Sequence, residues 1–234
     1  MKYNNIKSAV FLSRPNRFIA YILVDGKEEL CHVKNTGRCG ELLLPGTIVY
    51  VQEFDTLKRK TKYDLIAVCK EGMIVNIDSQ APNKVFEEWI KSYNYFGQLS
   101  LIKPECTFMN SRFDFYLESA TGNKIFVEVK GVTLEDNGLV AFPDAPTQRG
   151  LKHVMELCKC VSEGYDAYLF FVVQLERAQL FVPNKTTHPE FADMLVEAQN
   201  SGVKIKAVNC EVHSDSIAIK DFVHVNLQGG GRFG

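Results

Sequence analysis

Short runs of apolar residues, separated by turn residues, fill the first third of the chain and predict a small β-domain. The strand-like runs cover residues 8–12, 18–24, 29–33, 47–54, 64–70 and 73–77. Their close spacing, without any helical periodicity, is typical of a barrel or sandwich. Five or six such strands within residues 1–80 suit an OB-like barrel, a fold that often binds oligonucleotides.

From residue 81 onwards the pattern alternates between helical and strand periods, which predicts a second domain over residues 81–228. Helices are predicted over 81–95, 147–163 and 189–200, and strands over 166–174, 204–212 and 217–225. The almost unbroken apolar run 166–174 suits a central strand that is buried on both faces. Residues 134–143 are expected to form a loop, and the Gly-rich tail 229–234 is expected to be disordered. The second domain is therefore predicted to be a mixed α/β sheet.

A β-hairpin over residues 112–133 is the most informative stretch of the chain. Apolar and polar residues alternate in both of its arms, which is the period of strands with one face in a core, and residues 119–123 supply the turn. If the turn centres on Thr121, the antiparallel register places Asp114 opposite Glu128. Lys130 then shares the face of Glu128.

Two directly opposed carboxylates repel each other, so another interaction must offset this repulsion. A divalent cation between Asp114 and Glu128 would supply one, because magnesium prefers carboxylate and water oxygens. With a lysine beside them, these groups are what phosphodiester hydrolysis requires. The alternative is that charged residues simply occupy the solvated face of an ordinary antiparallel hairpin.

Composition and charge limit the other classes of function. The formal net charge is −1, so contact with nucleic acid must come from a local basic patch. The seven cysteines form no C-x-x-C pair, which favours reduced thiols in a cytoplasmic protein. No apolar run is long enough to span a membrane, and the first residues lack the features of a signal peptide.

Three groups of basic residues in the first domain are candidates for contact with phosphate. They are Arg14 and Arg17 around a Pro-Asn turn, Lys34 and Arg38 around an Asn-Thr-Gly turn, and Lys58, Arg59, Lys60 and Lys62 in the segment L-K-R-K-T-K. On a barrel edge beside a phosphodiesterase site, such groups would hold a nucleic-acid backbone. The simpler interpretation is a solvated face, with the Asn-Thr-Gly segment serving only as a tight turn.

The predicted helix 147–163 brings further candidates together. Thr147 is a plausible N-cap, and Arg149, His153 and Glu156 share one helical face. That face could be an ordinary exposed one, or it could line the metal cleft with Arg149 near its N-terminal end. A helix N-terminus and an arginine both favour phosphate.

The segments F-D-F at 113–115 and F-V-E-V-K at 126–130 resemble the PD-(D/E)XK nuclease superfamily. The resemblance implies that Asp114 and Glu128 bind Mg²⁺ or Mn²⁺ and that Lys130 positions or activates the attacking water. Phe113 stands where the motif has proline. Glu105 matches the acidic residue that such nucleases often carry before the hairpin, and it could be a further metal ligand.

Longer segments resemble the sugar fermentation stimulation protein A (SfsA) family. They include R-P-N-R-F at 14–18, C-H-V-K-N-T-G-R at 31–38, F-P-D-A at 142–145 and T-Q-R-G-L-K-H-V-M-E-L at 147–157. This resemblance covers nearly the whole chain. It implies an N-terminal OB-like β-barrel, a PD-(D/E)XK nuclease-like α/β domain and binding to nucleic acid, DNA in the first instance. Thr147, His153 and Glu156 would support the site.

Two functions follow from these observations. The first is a Mg²⁺-dependent nuclease in which Asp114, Glu128 and Lys130 carry the reaction. The second is a non-catalytic DNA-binding regulator of sugar (maltose) metabolism genes, which would leave the acidic pair without a purpose. The sequence decides neither the oligomeric state nor DNA against RNA.

Overall fold

The computed structural model describes residues 1–35, 37–55 and 59–230. The first domain contains six strands, β1 (Ile6–Asn16), β2 (Ile19–Val24), β3 (Lys27–Val33), β4 (Ile48–Glu53), β5 (Tyr63–Lys70) and β6 (Met73–Asn76). They are ordered β3-β2-β1-β4-β5-β6, and a parallel pairing of β3 with β5 closes a five-stranded barrel. Alternate side chains such as Phe11, Ile22 and Val49 are fully buried inside it. The predicted OB-like barrel is confirmed.

The second domain is built on a nine-stranded mixed sheet. Its elements are α1 (Ala81–Ser92), β7 (Leu99–Phe108), β8 (Ser111–Ser119), β9 (Lys124–Val132), β10 (Leu134–Asp136), β11 (Leu139–Phe142), α2 (Gln148–Ser162), β12 (Asp166–Val173), β13 (Leu180–Pro183), α3 (Pro189–Asn200), β14 (Lys204–His213) and β15 (Ser216–Val225). The strand order is β10-β11-β13-β15-β14-β12-β9-β8-β7. Strand β12 lies in the centre and pairs in parallel with both β9 and β14.

Both faces of this sheet are covered by helices. On one face, Phe86 of α1 packs against Phe170 and Phe115, with ring centroids 4.9 and 5.3 Å apart. The opposite face carries α2 and α3, where Phe171 and Phe191 are fully buried. The alternative in which the charged residues of the hairpin β8–β9 occupy a solvated face is therefore excluded for Glu128, because α2 covers the side that carries Phe126 and Glu128.

Four strands depart from the sequence-based prediction. The expected loop over 134–143 is the hairpin β10–β11, and β13 was not predicted at all. Strands of three or four residues are too short to show a clear alternation. Strand β7 pairs with β8 at the sheet edge, and its mostly exposed residues, with Pro104 among them, lack an apolar pattern.

A network of buried hydrogen bonds joins the two domains. Asp78, at the end of the barrel, accepts from Lys34 Nζ at 2.6 Å and from the Tyr3 hydroxyl at 3.2 Å. The side chain of Gln174, after β12, donates to Asn76 Oδ1 at 2.9 Å and to the Asp78 carbonyl at 3.1 Å. Buried polar groups that are mutually satisfied in this way make the junction specific and rigid.

The remaining features agree with the composition. All seven cysteines are free, and Cys31, Cys39, Cys160 and Cys210 are buried. Within residues 1–35, 37–55 and 59–230, no helix has the length and apolar character needed to cross a membrane. Of the predicted tail, Gly229 donates its N–H to Asn226 Oδ1 at 2.9 Å, and residues 231–234 lie outside the described residues.

Candidate active site

The hairpin β8–β9 has the register that the sequence predicts. Phe115 pairs with Val127, Tyr116 with Phe126 and Leu117 with Ile125. The same register places Asp114 at the level of Glu128, one step beyond the last pair of the ladder. There the Asp114 carboxylate accepts the Val129 N–H through Oδ2 at 2.8 Å. The two acidic residues therefore meet where the strands begin to separate.

The regular alternation of side chains along strand β8 is interrupted at Asp114. Phe113 lies on the α2 side, with its ring centroid 6.1 Å from that of His153. Phe115, two residues later, packs against Phe86 of α1 on the opposite side. A regular strand would place both rings on one face. The irregularity turns the Asp114 side chain towards the end of the sheet, where α1 begins.

Glu128 is almost completely buried, with 2% of its surface exposed. Its Oε1 atom lies 2.5 Å from Nδ1 of His153 and also contacts the ammonium group of Lys130. Its Oε2 atom is buried and has no hydrogen-bond partner among the described residues. Because a buried polar atom normally has a partner, the open oxygen marks a place where a ligand can bind.

The environment moves the pKa values of the two carboxyl groups in opposite directions. Burial, reinforced by the neighbouring Glu128 charge, raises the pKa of Asp114. Burial also acts to raise the pKa of Glu128, but His153 and Lys130 outweigh it, so the Glu128 pKa lies below its usual range. Oppositely shifted carboxyl groups side by side are characteristic of functional sites.

Helix α1 contributes a residue that the sequence analysis did not identify. Asn83, in its first turn, donates from Nδ2 to Asp114 Oδ1 at 2.7 Å. Gly131 allows the same helix to approach, because an added Cβ would lie 2.8 Å from Pro82 Cγ and 2.5 Å from Gln174 Oε1. The only sequence signal for Asn83 was its position after a proline at a helix start, and that position does not show which strand the residue contacts.

Helix α2 begins as predicted. The Thr147 hydroxyl accepts the Gly150 N–H at 3.0 Å, which satisfies one free donor of the first turn. His153 and Glu156 are buried, whereas Arg149 is exposed at the N-terminal end. An ordinary exposed face is therefore excluded for His153 and Glu156. Glu156 Oε2 is a further buried atom with no partner in the described part of the chain.

Glu105 lies apart from this cluster. It sits on the edge strand β7 with a φ of +54°, and its side chain is 67% exposed. Its Oε2 atom is 3.5 Å from Arg112 Nη1. Within the described ranges, no group of three or more His, Cys, Asp or Glu side chains has a metal-binding arrangement. The structure thus brings together Asp114, Glu128 and Lys130 but not Glu105, whose side chain is exposed beside Arg112.

Two family models match most of the chain. Residues 12–77 match the SfsA N-terminal OB domain, and residues 80–216 match the sugar fermentation stimulation protein RE domain. The chain belongs to the sugar fermentation stimulation protein family. This membership confirms the family resemblance, and the mixed α/β sheet follows the matched OB domain in the order that the resemblance implies.

Relatives in the family match the chain over its length. The sugar fermentation stimulation protein homolog of Desulfitobacterium hafniense (strain DSM 10664 / DCB-2) is 58% identical over 98% of this chain and 100% of its own. The homolog of Clostridium beijerinckii is 57% identical over 97% of this chain and 100% of its own. The structure of Pyrococcus furiosus SfsA in complex with Ca²⁺ superposes with a TM-score of 0.87 at 31% identity, covering 97% of this chain and 98% of that one.

Arg14 was expected to contact phosphate, but in the structure it donates hydrogen bonds to the backbone of two turns. Its guanidinium group donates to four backbone carbonyls, those of Arg17, Asn35, Gly37 and Arg38, at 2.7 to 3.0 Å. These bonds tie the turn after β1 to the turn after β3. Both terminal nitrogens of the guanidinium group are thus engaged by the backbone, which gives Arg14 a structural role, and its Nε atom is buried without a partner among the described residues.

Several other predicted phosphate contacts are paired with acidic groups. Lys34 is bound to the buried Asp78, Arg59 to Asp64, and Lys62 to Glu53 at 2.7 Å. Lys58 lies outside the described residues. The sequence showed these positive charges but not the carboxylates that the fold places beside them.

The remaining basic candidates are open to solvent. Arg17, Arg38, Lys60 and Arg149 are exposed, and none of them forms an ion pair with any residue that the structure describes. Arg17 lies 5.5 Å from the centroid of the Phe18 ring, which is 49% exposed. The basic surface available to a ligand is therefore smaller than the sequence indicated.

Proposed function

We propose that this protein binds nucleic acid, DNA in the first instance, and hydrolyses its phosphodiester bonds with Mg²⁺ or Mn²⁺. The observation that carries the proposal is the state of Glu128. One carboxylate oxygen contacts His153 and Lys130. The other is buried near Asp114 and has no hydrogen-bond partner among the described residues. Such an arrangement presents an ionised carboxylate oxygen that a positively charged ligand can bind.

The residues fit a hard divalent cation. Asp114 and Glu128 offer the carboxylate oxygens that Mg²⁺ and Mn²⁺ prefer. The Ca²⁺ in the Pyrococcus furiosus relative is a cation of the same oxygen-seeking class. When bound, the metal would neutralise charge on the phosphate and lower the pKa of a water molecule. Glu105 would join the set only after its exposed side chain turned inwards.

The protein's own groups would orient the reacting parts. Lys130 holds a positive charge beside Glu128, where it can donate to a phosphate oxygen or to the attacking water. His153 fixes the Glu128 carboxylate, while Asn83 and the Val129 N–H fix Asp114. The free thiols are consistent with activity in the reducing cytoplasm.

Cleavage of labelled DNA and RNA, single- and double-stranded, tests the proposal directly. Purified protein would be incubated with Mg²⁺, Mn²⁺ or EDTA. We expect metal-dependent cleavage that falls by about 100-fold or more in Glu128→Gln and Lys130→Met, a loss typical of a missing acid–base group. Glu163→Gln changes an exposed carboxylate at the end of α2 and should cleave like the wild type.

The second function has its own signature in the same experiment. A non-catalytic DNA-binding regulator of sugar metabolism genes would retard DNA in a gel-shift assay in a salt-dependent manner, without cleaving it. Wild type and Glu128→Gln would then bind alike, with or without metal. Equal cleavage by wild type, Glu128→Gln and Lys130→Met would instead remove this site from the reaction.

A further inference from the structure

The turn between β1 and β2 presents an exposed aromatic ring. Asn16 Oδ1 accepts the N–H groups of Phe18 at 2.9 Å and Ile19 at 3.1 Å, which fixes the turn. Phe18 is 49% exposed, and the Arg17 guanidinium lies 5.5 Å from its ring centroid. An exposed ring beside an arginine is a surface on which a nucleic-acid base can stack while the phosphate is held.

Two adjoining cavities lead from this turn towards Lys130. The first, of about 460 Å³, is lined by Arg17, Arg38, Gly37 and Ala145 among others. Gly37 and Ala145 also line the second, of about 320 Å³, which lies between the barrel and the sheet. The second cavity reaches Gly131, the residue after Lys130. The two cavities therefore form a groove that runs from the barrel surface to Gly131, next to Lys130 in the chain.

We propose that this groove binds a single strand of nucleic acid, with a base stacked on Phe18 and the strand leading to Lys130. The proposal rests on the nuclease function for the chemistry at its far end. Size is the first argument. The second cavity, of about 320 Å³, is at the lower end of the pockets that take one small molecule, so it suits bases of one strand and not a whole duplex.

The charges along the groove agree with a strand that is bound by both its backbone and its bases. Arg17 and Arg38 are exposed at the barrel end, where they suit phosphates. The second cavity contains Asp144, whose carboxylate would repel a phosphate but can accept a hydrogen bond from a base amino group. The phosphates are thus expected on the arginine side and the bases on the Asp144 side.

Fluorescence anisotropy in EDTA tests the path without cleavage. The probes are a labelled oligonucleotide, the same sequence as a blunt duplex, and that duplex with a single-stranded overhang. We expect tighter binding to the single strand and the overhang than to the blunt duplex. Phe18→Ala should weaken single-strand binding by at least about fivefold, the lower end for the loss of one base stack.

Matched variants separate stacking from exposed apolar area and from folding. Phe18→Tyr keeps an aromatic face and should bind like the wild type, whereas Phe18→Leu should behave like Phe18→Ala. Leu44→Ala removes an apolar side chain that is 54% exposed on the barrel and lines neither cavity, so binding should not change. Arg17→Ala should reduce the salt slope of single-strand binding by about 0.7.

Equal affinity for the blunt duplex and the single strand would overturn the proposal, as would wild-type binding by Phe18→Ala. Failure of the nuclease chemistry has a different signature. In that case no probe is cleaved when Mg²⁺ or Mn²⁺ replaces EDTA, while the Phe18-dependent preference for single strands persists.

Discussion

The Nδ1 atom of His153 lies 2.5 Å from Oε1 of Glu128, so helix α2 fixes the carboxylate that strand β9 carries. Both residues are buried, and the Lys130 ammonium contacts the same oxygen. In a medium of low polarity, such bonds restrict a side chain strongly. We therefore expect His153 to act as a positioning residue that holds the orientation of the Glu128 carboxylate.

The first prediction concerns this pair. His153→Ala should lower the free energy of unfolding by about 1–3 kcal/mol, because Glu128 loses a hydrogen-bond partner while staying buried. Urea unfolding of wild type, His153→Ala, Glu128→Gln and the double variant measures the effect and the coupling between the two residues. A coupling of about 0.5–3 kcal/mol is expected for directly interacting side chains. Additive effects would contradict the proposed positioning role.

The second prediction concerns the glycine that follows Lys130. Gly131→Ala should destabilise the fold by about 1–3 kcal/mol, because its Cβ would press on Pro82 and Gln174. It should also reduce cleavage, since helix α1 must move and carries Asn83 away from Asp114. Gly40→Ala is the matched control, because nothing lies within 4 Å of the added atom. Equal unfolding midpoints for the two variants would contradict the close approach.

The third prediction separates two neighbouring arginines. Arg14→Lys should destabilise the protein by about 1.5–3 kcal/mol or more, because one ammonium group cannot reach the four carbonyls that the guanidinium binds. Arg17→Ala should change stability by no more than about 0.5 kcal/mol, since its side chain is exposed. Thermal unfolding of both variants checks this. A larger loss in Arg17→Ala than in Arg14→Lys would refute the assignment.

The fourth prediction is a pH dependence at the domain junction. Burial acts to raise the pKa of Glu135, but the Gly138 N–H and the Lys70 ammonium outweigh it, so the pKa lies below the ordinary glutamate value of 4.5. The folded state therefore binds fewer protons than the unfolded state near that pH. The resulting stabilisation is present above pH 4.5 and disappears as the pH falls through the lowered value.

Glu135→Gln isolates this contribution from other acidic groups. The difference in free energy of unfolding between wild type and Glu135→Gln should be largest above about pH 5 and should shrink as the pH falls towards 3. Denaturant unfolding at several pH values provides the measurement. A difference that stays constant or grows on acidification would show that Lys70 and Gly138 do not favour the ionised form.

The local parts of the site could be predicted from the sequence. The register of β8 with β9 follows from one turn and a period of two, so Asp114 and Glu128 were placed at the same level correctly. Thr147 was identified as the N-cap of α2 because the capping signal lies within four residues. Such features depend on neighbours in the chain, and the local pattern specifies them.

The parts that depend on distant contacts could not be predicted. The pairing of Lys34 with Asp78, 44 positions away in the chain, needs the barrel to be closed, so the sequence showed only surplus positive charge. Asn83 reaches Asp114 across 31 positions of the chain. Hydrophobic periodicity contains no information on which helix end meets which strand.

The buried network around Asp78 and Gln174 also sets a length scale. Because it holds the barrel against the sheet, Phe18 and Lys130 are kept at a constant separation. A strand anchored on Phe18 would then be cleaved at a fixed number of nucleotides from the base that stacks on this ring. The product lengths would therefore depend on the geometry of the domain junction, and variants that weaken the junction would give products with a broader range of lengths.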